Sequence, residues 1–213
     1  PEETEAGIRA FLEFLAAIAE AAVREDLLAE GPVILSAGGS AFYDLVTERF
    51  SRERLGRETL VLIRSGCYLT HDSGIYEQSI HAVAARGIAS DELAADLPRA
   101  ALEVWALVQS MPEPGLALVT MGKRDVGFDS GLPVPVAWYR PGGAAPQQMP
   151  EGYSITGLND QHGYLKCPPG SPLQVGDMIG FGVSHPCTTF DRWVLIYLVD
   201  DAYAVTGAIK TFF

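Results

Sequence analysis

Ser184-His185-Pro186-Cys187-Thr188-Thr189-Phe190-Asp191-Arg192-Trp193 is the stretch on which the reading of this chain turns. A histidine and a cysteine stand two residues apart in a segment that reads as a strand. Side chains at i and i+2 leave a strand on the same face, so the imidazole of His185 and the thiolate of Cys187 can hold one metal ion between them. The competing reading makes Cys187 a small buried hydrophobe beside a hydrogen-bonded histidine.

Around this run the chain is a series of short strands broken by glycine and proline. Leu102 to Val108 and Leu116 to Met121 flank Pro112-Glu113-Pro114-Gly115, a hairpin signal. Val134 to Tyr139, Tyr153 to Leu158, Met178 to Val183, Val194 to Val199 and Tyr203 to Phe212 continue the series. The last two are joined at Asp200-Asp201. Pro141 to Pro146 is a surface loop. Regular spacing of this kind predicts a compact, mostly antiparallel β-domain.

The first third reads differently. Ile8, Phe11, Leu12, Leu15, Ile18 and Ala22 recur at helical spacing, which predicts one amphipathic helix with a buried stripe, stopped at Gly31-Pro32. Val33 to Leu35 and Thr59 to Ile63 are short apolar runs of strand type. A helix from about Ala41 to Phe50 separates them, and further helices are predicted over Gly74 to Arg86 and Asp91 to Leu97. Alternating helices and doubly apolar strands are the pattern of a parallel sheet covered by helices. The division expected is 1–86 for the α/β part and 87–213 for the β-domain.

Two glycine-bearing loops follow the apolar strands. Ser36-Ala37-Gly38-Gly39-Ser40 joins a strand to a helix, where bare backbone N–H groups and a helix N-terminus can receive an anion. Ser65-Gly66-Cys67-Tyr68 ends the second strand. In a barrel both would open on the face that carries the active site. Each taken alone is equally a tight turn.

Composition removes several function classes. The chain has 213 residues, is 48% hydrophobic and carries a formal charge of -12, so it can bury a substantial core and would repel phosphate backbones. Phe11 to Val23 is interrupted by Glu13 and Glu20, which speaks against a spanning helix or signal peptide. Three cysteines make no disulfide framework, and a reducing, cytoplasmic setting is expected.

The decisive run resembles the C-terminal metal motif of the D-serine dehydratase and D-threonine aldolase-like family, pyridoxal-phosphate enzymes of the alanine-racemase barrel type. The two glycine loops look like that family's phosphate-binding segments. Asp129-Ser130-Gly131-Leu132-Pro133, Asn159-Asp160-Gln161-His162-Gly163 and Ile209-Lys210-Thr211-Phe212-Phe213 match as well, and the likeness is closest to the bacterial D-serine or amino-acid deaminase branch. The resemblance implies the C-terminal portion of a (β/α)8 barrel followed by the β-domain. It implies pyridoxal 5'-phosphate held by its phosphate at Ser36, Gly38, Gly39, Ser40, Gly66, Cys67 and Tyr68, zinc on His185 and Cys187, a small D-amino acid as substrate, and a homodimer in the intact enzyme.

By the same resemblance a Schiff-base lysine belongs near the amino terminus of a chain about twice this long. Only Lys123, Lys166 and Lys210 are present, and all three lie among the β-domain strands, with Lys166 expected just after one. The chain is therefore expected to be the carboxyl-terminal part of such an enzyme, needing an N-terminal segment of the same protein and inactive alone. His162, with Gln161 beside it, reads as a further ligand, an orienting partner of the ligands, an acid, or an exposed turn residue. His71 and Asp72 read as cofactor-positioning groups or as a helix cap. Asp125 and Asp129 are explained by turn chemistry, and His81 and Cys167 read as structural. Three functions remain open: deamination of D-serine or a related 3-hydroxy-D-amino acid, retro-aldol cleavage of the D-threonine aldolase type, and a non-catalytic zinc- or cofactor-binding module.

Overall fold

The computed structural model describes residues 4–38, 41–50, 55–64, 66–86 and 99–213. The expected helix over 91–97, and Gly39 and Ser40, lie outside these. The chain divides into two compact units, Pro1–Gly66 with Gln78–Leu97, and Cys67–Glu77 with Pro98–Phe213.

The first unit is built on helix α1 (Glu5–Arg24), strand β1 (Val33–Leu35), helix α2 (Tyr43–Arg49) and strand β2 (Thr59–Val61). Thr4 caps α1, its hydroxyl accepting from the Gly7 N–H, and Glu5 and Arg24 sit at the ends where the helix dipole favours them. The strands pair in parallel, Val33 opposite Thr59 and Leu35 opposite Val61. Leu12, Ala16, Ala37, Leu45, Val46 and Phe50 form the core. Two ion pairs tie the helices: Arg49 grips Glu13 with Nε and Nη2, at 2.5 and 2.6 Å, and Arg9 reaches Glu48 at 3.2 Å. The stripe expected on α1 is only half correct. Phe11 and Ile18 are half exposed, because the helix turns its Leu12, Ala16 and Ala19 face inward. Two alanines on that face let the backbones approach more closely than phenylalanine would.

The second unit is a seven-stranded sheet, β6-β5-β9-β3-β4-β8-β7 in order, antiparallel throughout. Its strands are β3 (Glu103–Glu113), β4 (Leu116–Val119), β5 (Val134–Tyr139), β6 (Gln147–Gln148), β7 (Ser154–Leu158), β8 (Gly163–Lys166) and β9 (Met178–Gly182). Leu102, Val104, Ala106 and Val108 are buried in strict alternation along β3, the period of a strand with one face in the core. Ala117, Val119, Leu165, Ile179 and Phe181 complete that core with no measurable exposure. The hairpin expected at Pro112 to Gly115 joins β3 to β4. β6 and β8 were not anticipated, and Lys166, expected to follow a strand, is itself the last residue of β8.

A separate hairpin, β10 (Leu195–Val199) with β11 (Val205–Lys210), is joined by a turn in which the Asp200 carboxylate accepts from Ala202 and Ala204 N–H groups. Tyr203, at the end of that turn, stacks edge-on against Trp105 and donates to Glu103 at 3.1 Å, which anchors the hairpin on β3. Burial, with the Glu103 charge adding to it, pushes the Tyr203 phenol up to about 12. Buried Asp177 is saturated: it accepts from Arg140 at 2.8 and 2.9 Å, from the Trp138 indole at 3.1 Å and from the Gln174 N–H at 2.9 Å. Among the described residues no helix is long and apolar enough to cross a membrane.

Candidate functional site

The strand assigned to the His185 run ends before it. β9 stops at Gly182, and Pro186 adopts φ -57° and ψ -42°, opening a single helical turn, α4 (Cys187–Phe190). Proline's fixed φ and missing N–H suit a helix start and cannot continue a ladder. Thr189 then locks the turn, its hydroxyl donating to the His185 carbonyl at 3.0 Å and accepting from the Gly127 N–H at 2.9 Å. The same-face argument from strand spacing therefore fails, and each side chain has its own surroundings.

His185 meets Asp129. Its Nδ1 lies 2.6 Å from Asp129 Oδ2, while Asp129 Oδ1 accepts from the Thr188 hydroxyl at 2.9 Å. Burial alone would push the Asp129 carboxyl up, but the hydrogen bonds from His185 and Thr188 outweigh it and hold it below its ordinary range. An ionised Asp129 accepts the Nδ1–H. In the neutral imidazole that arrangement puts the lone pair on Nε2, for which no hydrogen-bond partner is found among the described residues, while the Ser130 hydroxyl lies 3.4 Å from Nδ1. The Ser184 hydroxyl donates to the Gly131 carbonyl at 2.5 Å and pins the 129–133 loop to the end of β9. Gly127 is required at the base of this turn. A Cβ there would stand 2.7 Å from the His185 carbonyl and closer still to the Thr188 hydroxyl.

Cys187 is exposed, and its sulfur lies 3.6 Å from that of buried Cys67. Cys67 sits in a short 3-10 helix, Gly66–Leu69. The segment after it is stitched to the metal-motif loop by the Ser73 N–H donating to the Val183 carbonyl at 2.9 Å. Burial pushes the Cys67 thiol up to about 11, with the neighbouring Cys187 thiol adding to the shift. Asp72 caps helix α3 (Ile75–Ala85), its Oδ1 accepting from Gly74 and Tyr76 N–H groups at 2.7 and 2.9 Å. His71 is buried at φ +52° with no hydrogen bond to either ring nitrogen.

Gln161 and His162 belong to a surface cleft of the same unit. With Lys123, Asn159 and Asp160 they line an open cleft of about 350 Å³, and among the described residues no hydrogen bond joins them to His185 or Cys187. Asp125 behaves as a turn residue, accepting from the Gly122 N–H at 2.8 Å. Cys167 is buried, and its thiol is pushed up by that burial.

In the first unit β1 and β2 run parallel, so the loops after Leu35 and after Val61 leave the sheet at one end. Gly38 holds φ +66°, a conformation that favours glycine. The Ser36 hydroxyl donates to the Leu62 carbonyl at 2.9 Å and accepts from Arg64 Nε at 2.7 Å. A guanidinium thus stands at the carboxyl end of both strands, which sequence reading had not singled out. The backbone of Tyr68 belongs to the 3-10 helix.

A family model described as "Putative serine dehydratase domain" matches residues 101–199. Over those residues, somewhat less than half of the chain, this protein is similar to that domain. No curated protein matches the chain. Among solved structures the chain is similar to a D-threonine aldolase from Filomicrobium marinum, at 20% identity and a TM-score of 0.65, covering 95% of this chain and 47% of that one. It is also similar to an alanine racemase-like protein from Idiomarina loihiensis, at 15% identity and 0.60, covering 97% and 51%. For a D-threo-3-hydroxyaspartate dehydratase from Delftia sp. the values are 19% and 0.57, covering 98% and 52%. These likenesses establish the alanine-racemase-like fold, with the antiparallel β-domain as expected. The chain spans about half the length of the structures it matches.

Proposed function

We propose that the chain is the carboxyl-terminal, metal-bearing part of a pyridoxal-phosphate- and zinc-dependent lyase that deaminates D-serine or a related 3-hydroxy-D-amino acid, the water lost by β-elimination being taken up again as the resulting imine is hydrolysed to a keto acid and ammonia. The observation that carries this reading is the Asp129–His185 pair, with an exposed thiol two residues on, inside a segment similar to a serine dehydratase domain. A carboxylate behind an imidazole is how metal-ligating histidines are commonly oriented, and an exposed thiol supplies a second donor. Among the described residues no group of three or more His, Cys, Asp or Glu side chains converges on one point. A metal held here by His185 and Cys187 would therefore need water and substrate to complete its shell. Solved variants of a D-threo-3-hydroxyaspartate dehydratase include a histidine-to-alanine form and a cysteine-to-alanine form described as metal-free, and the latter description is in keeping with a metal in that enzyme.

In this reading Ser36, Gly38, Gly39, Ser40, Gly66, Cys67 and Tyr68 surround the cofactor phosphate, and Arg64, hydrogen-bonded to Ser36, supplies a positive charge at that end of the strands. Bound pyridoxal phosphate supplies an electron sink at the substrate α-carbon, and bound zinc supplies a Lewis acid at the β-oxygen. Asp129 stays ionised and retains the proton on His185 Nδ1, so Nε2 remains a donor atom to metal. Thr188 holds the second Asp129 oxygen and prevents the carboxylate from swinging away. Ser184 and Thr189 fix the two loops that carry the pair. The likeness to D-threonine aldolase raises retro-aldol cleavage as the other outcome, since the same metal position can hold a β-oxygen while a carbon–carbon bond breaks.

The test is a product assay on the chain joined to a lysine-bearing barrel segment, loaded with pyridoxal phosphate and zinc. Ammonia from D-serine, lost on chelation and restored by zinc, is expected. Aldehyde from D-threonine without ammonia from D-serine would replace the dehydratase reading by the aldolase one. Ammonia release by residues 1–213 alone, at the rate of a complete enzyme, would contradict the need for a lysine outside Lys123, Lys166 and Lys210.

A further inference from the structure

We propose that Cys67 and Cys187 form a redox-sensitive thiol pair, oxidised to a disulfide by a low-molecular-weight disulfide and reduced by small thiols. The two sulfurs lie 3.6 Å apart, and both cysteines belong to the second unit. A disulfide needs about 2.0 Å between sulfurs, so closure requires roughly 1.5 Å of approach, within reach of small side-chain rotations. Their segments are already held together by the Ser73 N–H, which donates to the Val183 carbonyl at 2.9 Å. The third cysteine, Cys167, is buried on its own, its sulfur facing the Leu165 carbonyl at 3.7 Å.

Exposure sets the order of events. Cys187, on the surface at the first residue of α4, attacks one sulfur of the small disulfide and releases one small thiolate, giving a mixed disulfide. Cys67, buried behind it, gives up its proton to that thiolate, attacks Cys187 Sγ and expels the second small thiol. Two protein thiols are oxidised and one disulfide is reduced to two thiols. Because Cys187 is also read as a zinc donor, a corollary rests on the proposed function: zinc and the disulfide compete for one sulfur, and oxidation withdraws the metal from His185.

The experiment exposes the whole protein, with and without bound zinc, to oxidised glutathione, blocks free thiols by alkylation and maps cysteines by mass spectrometry. A peptide linking Cys67 to Cys187 is expected in the metal-free protein, with Cys167 alkylated. Cys67→Ser should stop at the glutathione adduct on Cys187, Cys187→Ser should give no cross-link, and Cys167→Ser should react like the parent. A Cys67→Ala variant guards against a folding defect in the serine form. A stable Cys187–glutathione adduct in the parent, or a cross-link through Cys167, would overturn the thiol pair. Zinc is expected to slow the cross-link more than tenfold. If the cross-link forms equally fast with zinc bound, the pair stands and the zinc assignment to Cys187 falls.

Discussion

Asp129 determines what His185 can do. With Nδ1 held at 2.6 Å, the imidazole has one tautomer and one outward nitrogen, and the carboxylate that fixes it is itself held by Thr188. Asp129→Asn keeps the shape but can present its amide N–H to Nδ1, which releases the tautomer. Zinc affinity of that variant, measured by competition with a chromophoric chelator, should fall about 10- to 100-fold, the usual consequence of losing such a partner. Unchanged affinity would remove Asp129 from the metal site. Sequence reading placed Asp129 in a turn because its partner lies 56 residues away, and no local periodicity reports a contact of that separation. His185 and Cys187 were legible as residue types able to bind metal. Their geometry was not, because Pro186 converts the apparent strand into the start of a helical turn.

At the scale of elements, patterns that depend on local chemistry were readable and those that depend on partners were not. The alternation along β3, the turn at Pro112 to Gly115 and the apolar runs of β1 and β2 are all written in neighbouring residues. β8 is four residues of Gly-Tyr-Leu-Lys and β6 only two glutamines, so each exists through the strand beside it rather than through its own propensity. The buried face of α1 was misjudged for a similar reason, since only Leu45, Val46 and Phe50 across the interface select Leu12 and Ala16 over Phe11. Asp177, just before β9, illustrates an element held by charge. Burial would push its carboxyl up, but Arg140, the Gln174 N–H and Trp138 outweigh this and hold it below the ordinary carboxylate range. A depressed carboxyl stabilises the fold above its unfolded value and loses that contribution as the pH falls through the folded value. Asp177→Asn should lower the thermal midpoint by several degrees at pH 7, and the gap to the parent should close as the pH drops below about 4. Melts followed by circular dichroism across that range decide it. A gap that ignores pH would mean that shape, not charge, is what the site requires.

At the scale of the whole molecule, the sequence reads as an α/β part and a β-part, and the described residues hold a parallel strand pair with helices in one unit and an antiparallel sheet in the other. The likeness extends over 95–98% of this chain but about half of each relative, so activity is a property proposed for the complete assembly and metal binding a property testable on the chain in hand. Zinc measured by elemental analysis after exhaustive dialysis tests that property most directly. Close to one zinc per chain is expected in the parent, with a sharp loss in Cys187→Ala and in His185→Ala and retention in Cys167→Ala and His162→Ala. Zinc content unchanged by loss of either His185 or Cys187, or lost instead with His162, would contradict the zinc assignment.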